Sequence, residues 1–404
     1  MKKLFLCVAL ISIISCNNKQ EKKEVNDVTG LQTTIDTTLQ LAKAQYEYMS
    51  TEVTSGRFPK TYHEDSDTFE TSNSGWWCSG FYPGTMLYIN EEYPSSILKE
   101  AIKSSLNDLK KEEFNTSTHD LGFMMYCSFG NAQQFEKEAS YETILMNSAK
   151  SLATRYNDTV KAIRSWDSAP WNKASDDDLV VIIDNMMNLE LLFWASEHSG
   201  DQKYYDIAVN HGNITMAHHF RPDYSSYHEV IYDEHTGDVK AQITNQGAAD
   251  DSSWARGQGW GLYGYTVMYR ATKNPKYLAQ AQHIADYILH HPNLPKDKIP
   301  YWDFNAPNIP NALRDSSAAS LIASALIELS SYSNEEKSKE YMANATTILT
   351  NLLSPKYLAK VGENGGFLLK HGVGNMPNHT EINTPLTYGD YYLVEAMIRY
   401  KNKV

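Results

Sequence analysis

Two aspartates stand in sequence surroundings that suit acid–base chemistry. Asp184 follows the apolar run 179–183, and burial in such a run disfavours the charged carboxylate and raises its pKa. Asp120 stands in a more polar stretch, at the predicted start of another helix. One protonated and one ionised carboxyl group is a common arrangement in glycosidases. The alternatives are a structural ion pair for Asp184 and a helix N-cap role for Asp120.

A second cluster gathers charged and aromatic side chains around Arg256. Trp254 and Trp260 stand on either side of this arginine. A guanidinium beside an aromatic wall suits the carboxylate of an acidic sugar. The alternative is a structural salt bridge from Arg256 to Asp250 or Asp251.

Two further positions are candidates for sugar binding. His228 stands between a tyrosine and a glutamate, and Trp77 belongs to the aromatic stretch 76–82. A lone histidine is more often structural, and the aromatic stretch suits a core as well as a stacking wall.

The sequence contains no motif that is typical of metal or phosphate binding. The histidines at 211, 218 and 219 do not form a His-Glu-x-x-His pattern or a cage with carboxylates. The sequence also has no Gly-x-Ser-x-Gly elbow and no phosphate-binding loop. We therefore predict a site with neither metal nor cofactor.

The overall charge argues against nucleic acid as a partner. The 404 residues include 36 basic and 49 acidic side chains, a formal net charge of −13. Such a chain is repelled by nucleic acid and by anionic membrane surfaces. The 27 tyrosines and 8 tryptophans favour a cleft that stacks on sugars, although they also build cores.

The first residues are typical of an envelope-targeting segment. A basic start at Met1-Lys-Lys is followed by the apolar stretch 4–14 and then by Ser15-Cys16. This junction resembles that of bacterial lipoproteins, which predicts a signal peptide over 1–15, a lipidated Cys16 with a flexible tether over 16–30, and a place in the bacterial cell envelope. The alternative is an ordinary secretory signal with a chance cysteine. Cys78 and Cys127 remain, enough for one disulfide at most.

Helical periodicity runs through the rest of the chain, and we treat 31–404 as one domain. Turn and N-cap signals at Ser95, Gly200, Asn274 and Asn334 separate fresh amphipathic runs. Inner and outer helices alternate, which predicts an all-α (α/α)6 barrel of six helical hairpins; a helical solenoid is the competitor. A small β-hairpin is predicted near 227–244, from strands 227–232 and 239–244. The predicted helices are 31–54, 80–91, 95–112, 119–130, 138–156, 179–197, 201–218, 254–271, 275–291, 312–331, 335–353 and 385–402.

Seven linked motifs, in order along 31–402, resemble the unsaturated glucuronyl hydrolases of glycoside hydrolase family 88. The resemblance implies an (α/α)6 barrel without metal. It also implies an enzyme that removes a 4,5-unsaturated uronic acid from the non-reducing end of oligosaccharides left by polysaccharide lyases. The motifs are Trp77-Cys-Ser-Gly-Phe-Tyr-Pro-Gly, His119-Asp-Leu-Gly-Phe, Ile163-Arg-Ser-Trp, Ile182-Ile-Asp-Asn-Met-Met-Asn-Leu, His219-Phe-Arg-Pro-Asp-Tyr-Ser-Ser-Tyr-His, Gln246-Gly with Trp254-Ala-Arg-Gly-Gln-Gly-Trp, and Tyr388-Gly-Asp-Tyr-Tyr.

The resemblance also assigns roles to individual residues. Asp184 would protonate C4 of the vinyl ether and then, as carboxylate, activate the water that adds at C5. Asp120 would hold the sugar hydroxyls and tune Asp184. The residues that would surround the substrate are His228, Gln246 and Arg256, with Trp77, Trp166 and Trp260 as aromatic walls.

One segment departs from the family pattern. Family members that act on sulfated glycosaminoglycan fragments resemble each other in a Ser/Lys-containing loop near the C-terminus, and the stretch 371–381 lacks that pattern. A preference for sulfated fragments is therefore not predicted. Two other functions stay open: an unsaturated rhamnogalacturonyl hydrolase, and a surface lipoprotein that binds glycans without cleaving them.

Overall fold

Two concentric rings of helices form most of the computed structural model, which describes residues 9–167, 174–175 and 177–404, with side chains from residue 30. This confirms the predicted (α/α)6 barrel. The outer helices are α1 (Ala9–Glu52), α3 (Ser96–Leu109), α5 (Ala139–Ala153), α7 (Gln202–His218), α9 (Pro275–His290) and α11 (Glu335–Leu352). The inner helices are α2 (Phe81–Glu92), the π-helix Gly122–Gly130 with α4 (Asn131–Glu136), α6 (Leu189–Ser199), α8 (Ala255–Thr272), α10 (Ser316–Ser330) and α12 (Thr387–Lys403).

The predicted turn signals end and begin helices as expected. The side chains of Ser95, Asn274 and Asn334 each accept a backbone N–H from the first turn of the helix that follows. Gly200 ends α6 in the left-handed conformation, with φ of 73°, which glycine adopts without steric cost. These local signals explain why the helix pairing could be predicted from the sequence.

The predicted helix 179–197 is wrong in its first half. The segment begins as strand β5 (Asp178–Ile182), continues as a 3₁₀ helix (Ile183–Asn188) and becomes α-helical only in α6. Its β-branched residues at 180–182 suit a strand, and a fully apolar run carries no periodicity that separates a buried strand from a buried helix. Asp184 therefore stands in the first turn after a strand.

The predicted hairpin near 227–244 is confirmed, as β6 (Glu229–Asp233) and β7 (Val239–Ile243). β5 pairs antiparallel with β6 and makes a three-stranded sheet. The sequence did not indicate three other hairpins, which are β1 (Phe58–His63) with β2 (Thr68–Ser72), β3 (Tyr156–Asn157) with β4 (Ala162–Ile163), and β8 (Gly372–Asn375) with β9 (Thr380–Thr384).

Glycines in α8 bring that helix close to the segment of Asp184. A Cβ atom on Gly264 would lie 2.6 Å from Cβ of Met186, and one on Gly257 would lie 3.3 Å from Cγ2 of Ile183. Ordinary side chains at these positions would push the two segments apart. The glycines therefore fix the position of the 3₁₀ helix against the inner ring.

The predicted signal peptide and lipid anchor stay predictions, whereas residues 16–30, predicted as a flexible tether before a helix at 31, belong to helix α1 in the structure. Residues 1–8 of the predicted signal peptide lie outside the described residues. Within the described ranges, no helix is both long and apolar enough to span a bilayer. Cys78 and Cys127 both carry free thiols, so the disulfide that the sequence left open is not formed.

Candidate active site

A cavity of about 240 Å³ collects six of the residues that the sequence singled out. They come from six separate segments, which the barrel brings together where α8 begins. The six are Trp77, Asp120, Trp166, Asp184, Gln246 and Arg256.

Asp184 is buried and holds its proton near neutral pH. Burial raises the pKa of its carboxyl group to about 7, the Asp120 charge raises it as well, and the Arg256 charge partly opposes the rise. Its Oδ2 atom is buried without a hydrogen-bond partner. The predicted raised pKa is therefore found, although it comes from a strand end and not from a helix interior.

Asp120 points into the same cavity and does not cap a helix. Thr118 Oγ1 donates a hydrogen bond of 2.8 Å to Oδ2 of Asp120, and His119 Nε2 lies 3.3 Å from its Oδ1. The π-helix that follows begins after Leu121, with no side-chain cap. The N-cap alternative for Asp120 is therefore wrong.

His228 stands beside Asp184 as a neutral ring. Its Nε2 atom lies 3.7 Å from Oδ2 of Asp184, and its Nδ1 accepts the backbone N–H of Asn245 at 3.1 Å. Burial, together with the neighbouring His219 and Arg256, lowers the pKa of His228 to about 3. Because Nδ1 accepts, the neutral ring carries its proton on Nε2, which faces the carboxyl group.

Arg256 lines the cavity, but its partners are neither Asp250 nor Asp251. Its Nη1 lies 3.0 Å from Oδ2 of Asp315 and also donates to the carbonyl of Val373, and its Nη2 donates to the carbonyl of Gly374. The side chain is 2% exposed, and its guanidinium carbon lies 4.4 Å from the centroid of the Trp254 ring. Arg256 therefore ties α8 to the start of α10 and to the β8–β9 hairpin.

These contacts predict that Arg256→Lys lowers both stability and activity. A lysine cannot reach the Asp315 carboxylate and both carbonyls at once, and one lost hydrogen bond to a charged group costs about 1.5–3 kcal/mol of unfolding free energy. We expect the melting temperature and kcat/KM to fall together when both are measured on one preparation. An unchanged melting temperature would contradict the role of Asp315 as its main partner.

The predicted aromatic walls divide into two groups. Trp77 and Trp166 line the cavity, and the ring of Trp77 lies 4.8 Å from that of Tyr388. Trp260 is fully buried behind the cavity, with its ring 5.1 Å from that of Phe123. Trp260 therefore does not line the cavity and forms no part of its wall.

The sequence did not single out several polar side chains that also line the cavity. His119 and Asn245 flank predicted residues, whereas Asn375 and Asn378 come from the β8–β9 hairpin. Proximity in sequence to Asp120 and Gln246 was the available signal for the first two. For the hairpin, the available signal was the family resemblance, which had already set the stretch 371–381 against a loop of other members, but it did not single out Asn375 or Asn378.

The arrangement suits proton transfer to an acidic sugar. It joins a protonated carboxyl group, a second carboxylate, a cation and an aromatic wall in one cleft. Among the described residues, no group of three or more His, Cys, Asp or Glu side chains is placed to hold a metal ion.

Comparisons with known proteins give one consistent family. No family model matches the chain. The chain is 43% identical to an unsaturated glucuronyl hydrolase of Formosa agariphila over the full length of both, and 31% identical to an unsaturated chondroitin disaccharide hydrolase of Streptococcus pyogenes over 85% of each.

Solved structures agree with the sequence relatives. The fold superposes with a TM-score of 0.87 on an unsaturated glucuronyl hydrolase specific for heparin, at 42% identity, covering 92% of this chain and 97% of the other. It superposes with a TM-score of 0.82 on the unsaturated glucuronyl hydrolase of Bacillus sp. GL1, at 27% identity, covering 89% and 96%. With the cavity chemistry, the full-length identity and the shared barrel all in agreement, the chain belongs to the unsaturated glucuronyl hydrolase family.

Proposed function

We propose that Asp184 is the acid and then the base in the removal of a 4,5-unsaturated uronic acid from lyase-generated oligosaccharides. Its proton goes to C4 of the vinyl ether, and its carboxylate then takes a proton from the water that adds at C5. The resulting hemiketal collapses, the ring opens, and the rest of the glycan leaves. The observation that carries this assignment is the place of Asp184 in the cavity with its Oδ2 buried and without a hydrogen-bond partner. Burial raises the pKa of this carboxyl group to about 7, which suits a general acid because such a group works best when its pKa is near the working pH.

The other cavity residues would bind and orient the sugar. Arg256 lines the cavity and would face the sugar carboxylate with its positive charge. A local cation is needed because the chain as a whole carries a net charge of −13 and repels an anionic substrate. Asp120 would accept hydrogen bonds from sugar hydroxyls, and the Nε2 proton of His228 would steady the Asp184 carboxylate once it forms. Trp77 and Trp166 offer apolar faces for the ring.

The substrate is proposed to be a glycosaminoglycan fragment. The relatives named above include a chondroitin disaccharide hydrolase and an enzyme specific for heparin. In the β8–β9 hairpin, the amide side chains of Asn375 and Asn378 line the cavity, where they would meet the sugar next to the unsaturated one. Amides bind hydroxyl and N-acetyl groups without requiring a sulfate.

A panel of unsaturated disaccharides tests this proposal. Purified protein is mixed with heparin, chondroitin, hyaluronan and rhamnogalacturonan disaccharides, and the ultraviolet absorbance of the C4=C5 bond is followed. We expect the absorbance to fall with at least one glycosaminoglycan disaccharide. Turnover of the rhamnogalacturonan disaccharide alone would move the chain to the related rhamnogalacturonyl activity, and tight binding without turnover would make it a glycan-binding protein.

We also propose that Cys16 carries a lipid that holds the enzyme in the cell envelope. The support is the apolar stretch 4–14 followed by Ser15-Cys16. Cys16→Ala should leave the protein in the soluble fraction of expressing bacteria, because the thiol that accepts the lipid is gone. A variant that still fractionates wholly with membranes would contradict the anchor, and Cys127→Ala is the matched control that should stay with membranes.

A further inference from the structure

A buried arginine holds the chain on both sides of Trp166, a residue of the cavity wall. We propose that Arg155 is a positioning residue that fixes Trp166 in this wall by anchoring its chain to the segment of Asp120. The proposal rests on the sugar-binding role given above to Trp166. Arg155 does not line the cavity, so it would not itself contact the substrate.

The first observation is the set of contacts around Trp166. The side chain of Arg155 is 3% exposed, and its Nη2 donates to the carbonyl of Ser165 at 3.2 Å. Its Nη1 lies 2.9 Å from Oδ1 of Asp167, and its Nε donates to the carbonyl of Arg164 at 2.9 Å. One planar guanidinium thus holds both chain neighbours of Trp166.

The second observation is that the same guanidinium reaches the segment of Asp120. Nη1 of Arg155 also donates to the carbonyl of Thr116 at 2.7 Å. Two residues further on, Oγ1 of Thr118 donates to the Asp120 carboxylate. Arg155 therefore joins the chain that carries the Trp166 ring to the chain that carries the second carboxyl group of the site.

The third observation connects Trp166 to the segment of Asp184. The N–H of Ser165 donates to a carbonyl of strand β5 at 2.8 Å, and its Oγ accepts the N–H of Ile182 at 3.0 Å. Asp184 follows two residues later, and the Trp166 ring centroid lies 6.3 Å from that of His228. A shift of the chain at Trp166 would therefore move its ring relative to the other side chains of the site.

The carbonyl contacts of Arg155 should matter more than its ion pair. The Asp167 side chain is 60% exposed, and water screens such a pair. The carbonyls of Thr116, Arg164 and Ser165 are instead held by a fork of N–H groups that neither lysine nor methionine reproduces. We therefore expect the position of the wall to survive the loss of the Asp167 charge but not the loss of the guanidinium.

The first test is Arg155→Met, with kinetics on an unsaturated disaccharide that the wild type turns over. Methionine keeps an apolar stem but has no N–H group. Because a loosened wall weakens binding of substrate and transition state alike, we expect KM to rise about 10-fold with kcat within a few-fold of the wild type. Asp167→Asn is the matched control and should leave KM unchanged. A wild-type KM for Arg155→Met would overturn the proposal.

A double-mutant cycle shows whether Arg155 acts through the wall. Trp166→Ala removes the ring and should raise KM by itself. In the Trp166→Ala background, Arg155→Met should then raise KM by no more than about 2-fold, because the two changes remove the same contact with the sugar. Equal rises in both backgrounds would show that Arg155 does not act through Trp166 and would overturn the proposal.

A second control separates positioning from lost stability. Arg399→Met removes another buried arginine, one that does not line the cavity, and should lower the melting temperature with KM unchanged. Arg155→Lys keeps the charge but cannot reach all three carbonyls, so it should raise KM in the same direction by a smaller factor. This variant keeps the test decisive if Arg155→Met does not fold.

The position of the ring can also be followed without any substrate. The difference between the fluorescence of the wild type and that of Trp166→Phe isolates the emission of this one tryptophan. Arg155→Met should shift that emission to longer wavelength and increase its quenching by acrylamide, because a released ring meets more water. An unchanged emission would overturn the proposal whatever the activity of the enzyme. A shifted emission with a wild type that turns over no unsaturated disaccharide would instead contradict the proposed function.

Discussion

Asp184→Asn is expected to fold and bind substrate but to turn it over ~10²–10⁴-fold more slowly, the usual contribution of a general acid. The amide is nearly the same size as the carboxyl group, so the cavity should keep its shape, but it has no proton to give to C4. Steady-state kinetics and substrate binding on the same preparation check this result. Turnover close to that of the wild type would remove Asp184 from the acid role.

The same group sets the expected pH dependence of the wild type. Because the acid must be protonated, kcat/KM should fall as pH rises through about 7, the pKa of Asp184. The folded chain also holds this proton to higher pH than the unfolded chain does, so the stability it contributes is full below about pH 4 and is lost as pH rises through about 7.

Asp184→Asn isolates that contribution to stability. The variant has no group to ionise at this place, so its melting temperature relative to the wild type should rise between pH 5 and 8. Asp390 also has a pKa raised by burial to about 7, but it is present in both proteins and cancels in the comparison. A constant difference across this pH range would contradict the raised pKa of Asp184.

The second prediction with a large expected effect concerns stability, through a network of ion pairs between inner helices that does not line the cavity of Asp184. Arg399 of α12 lies 3.1 Å from Oε2 of Glu328 in α10 and 3.3 Å from Oε1 of Glu395. Arg270 of α8 contacts Glu328 as well and pairs with Glu190 of α6 at 2.5 Å. The network therefore joins four inner helices, through residues near the C-terminal ends of α8, α10 and α12 and a residue in the first turn of α6.

Arg399→Met is expected to lower the free energy of unfolding by about 3–5 kcal/mol, because it leaves the largely buried Glu395 carboxylate without its cation and Glu328 with Arg270 alone. Chemical denaturation measures this loss. The matched control is Lys339→Met, which breaks an exposed pair with Glu335 and should change the free energy of unfolding far less, because solvent screens exposed ion pairs.

Activity distinguishes this network from the active site. The kcat of folded Arg399→Met protein should stay near that of the wild type, since none of its contacts reaches the cavity of Asp184. If Arg399→Met lowers the free energy of unfolding no more than Lys339→Met does, the network contributes little to stability.

The sequence by itself determined the helix pairing, the barrel and the two carboxylates. Amphipathic spacing and helix caps act over a few residues, so a signal such as Asn274 with the proline after it is visible in the chain and present in the structure. The raised pKa of Asp184 was predictable for the same reason, because the apolar run that buries it is local.

Only the tertiary structure decided how the side chains at the site are held. The strand before Asp184 exists because β6, from far along the chain, pairs with it, and no local pattern separates that outcome from a buried helix. Arg256 takes Asp315 and two hairpin carbonyls as partners, and Trp260 turns behind the cavity, because contacts across the barrel outweigh those between sequence neighbours. Residue types and short-range spacing can be read from the sequence. The partners of a side chain depend on long-range packing, which only the fold determines.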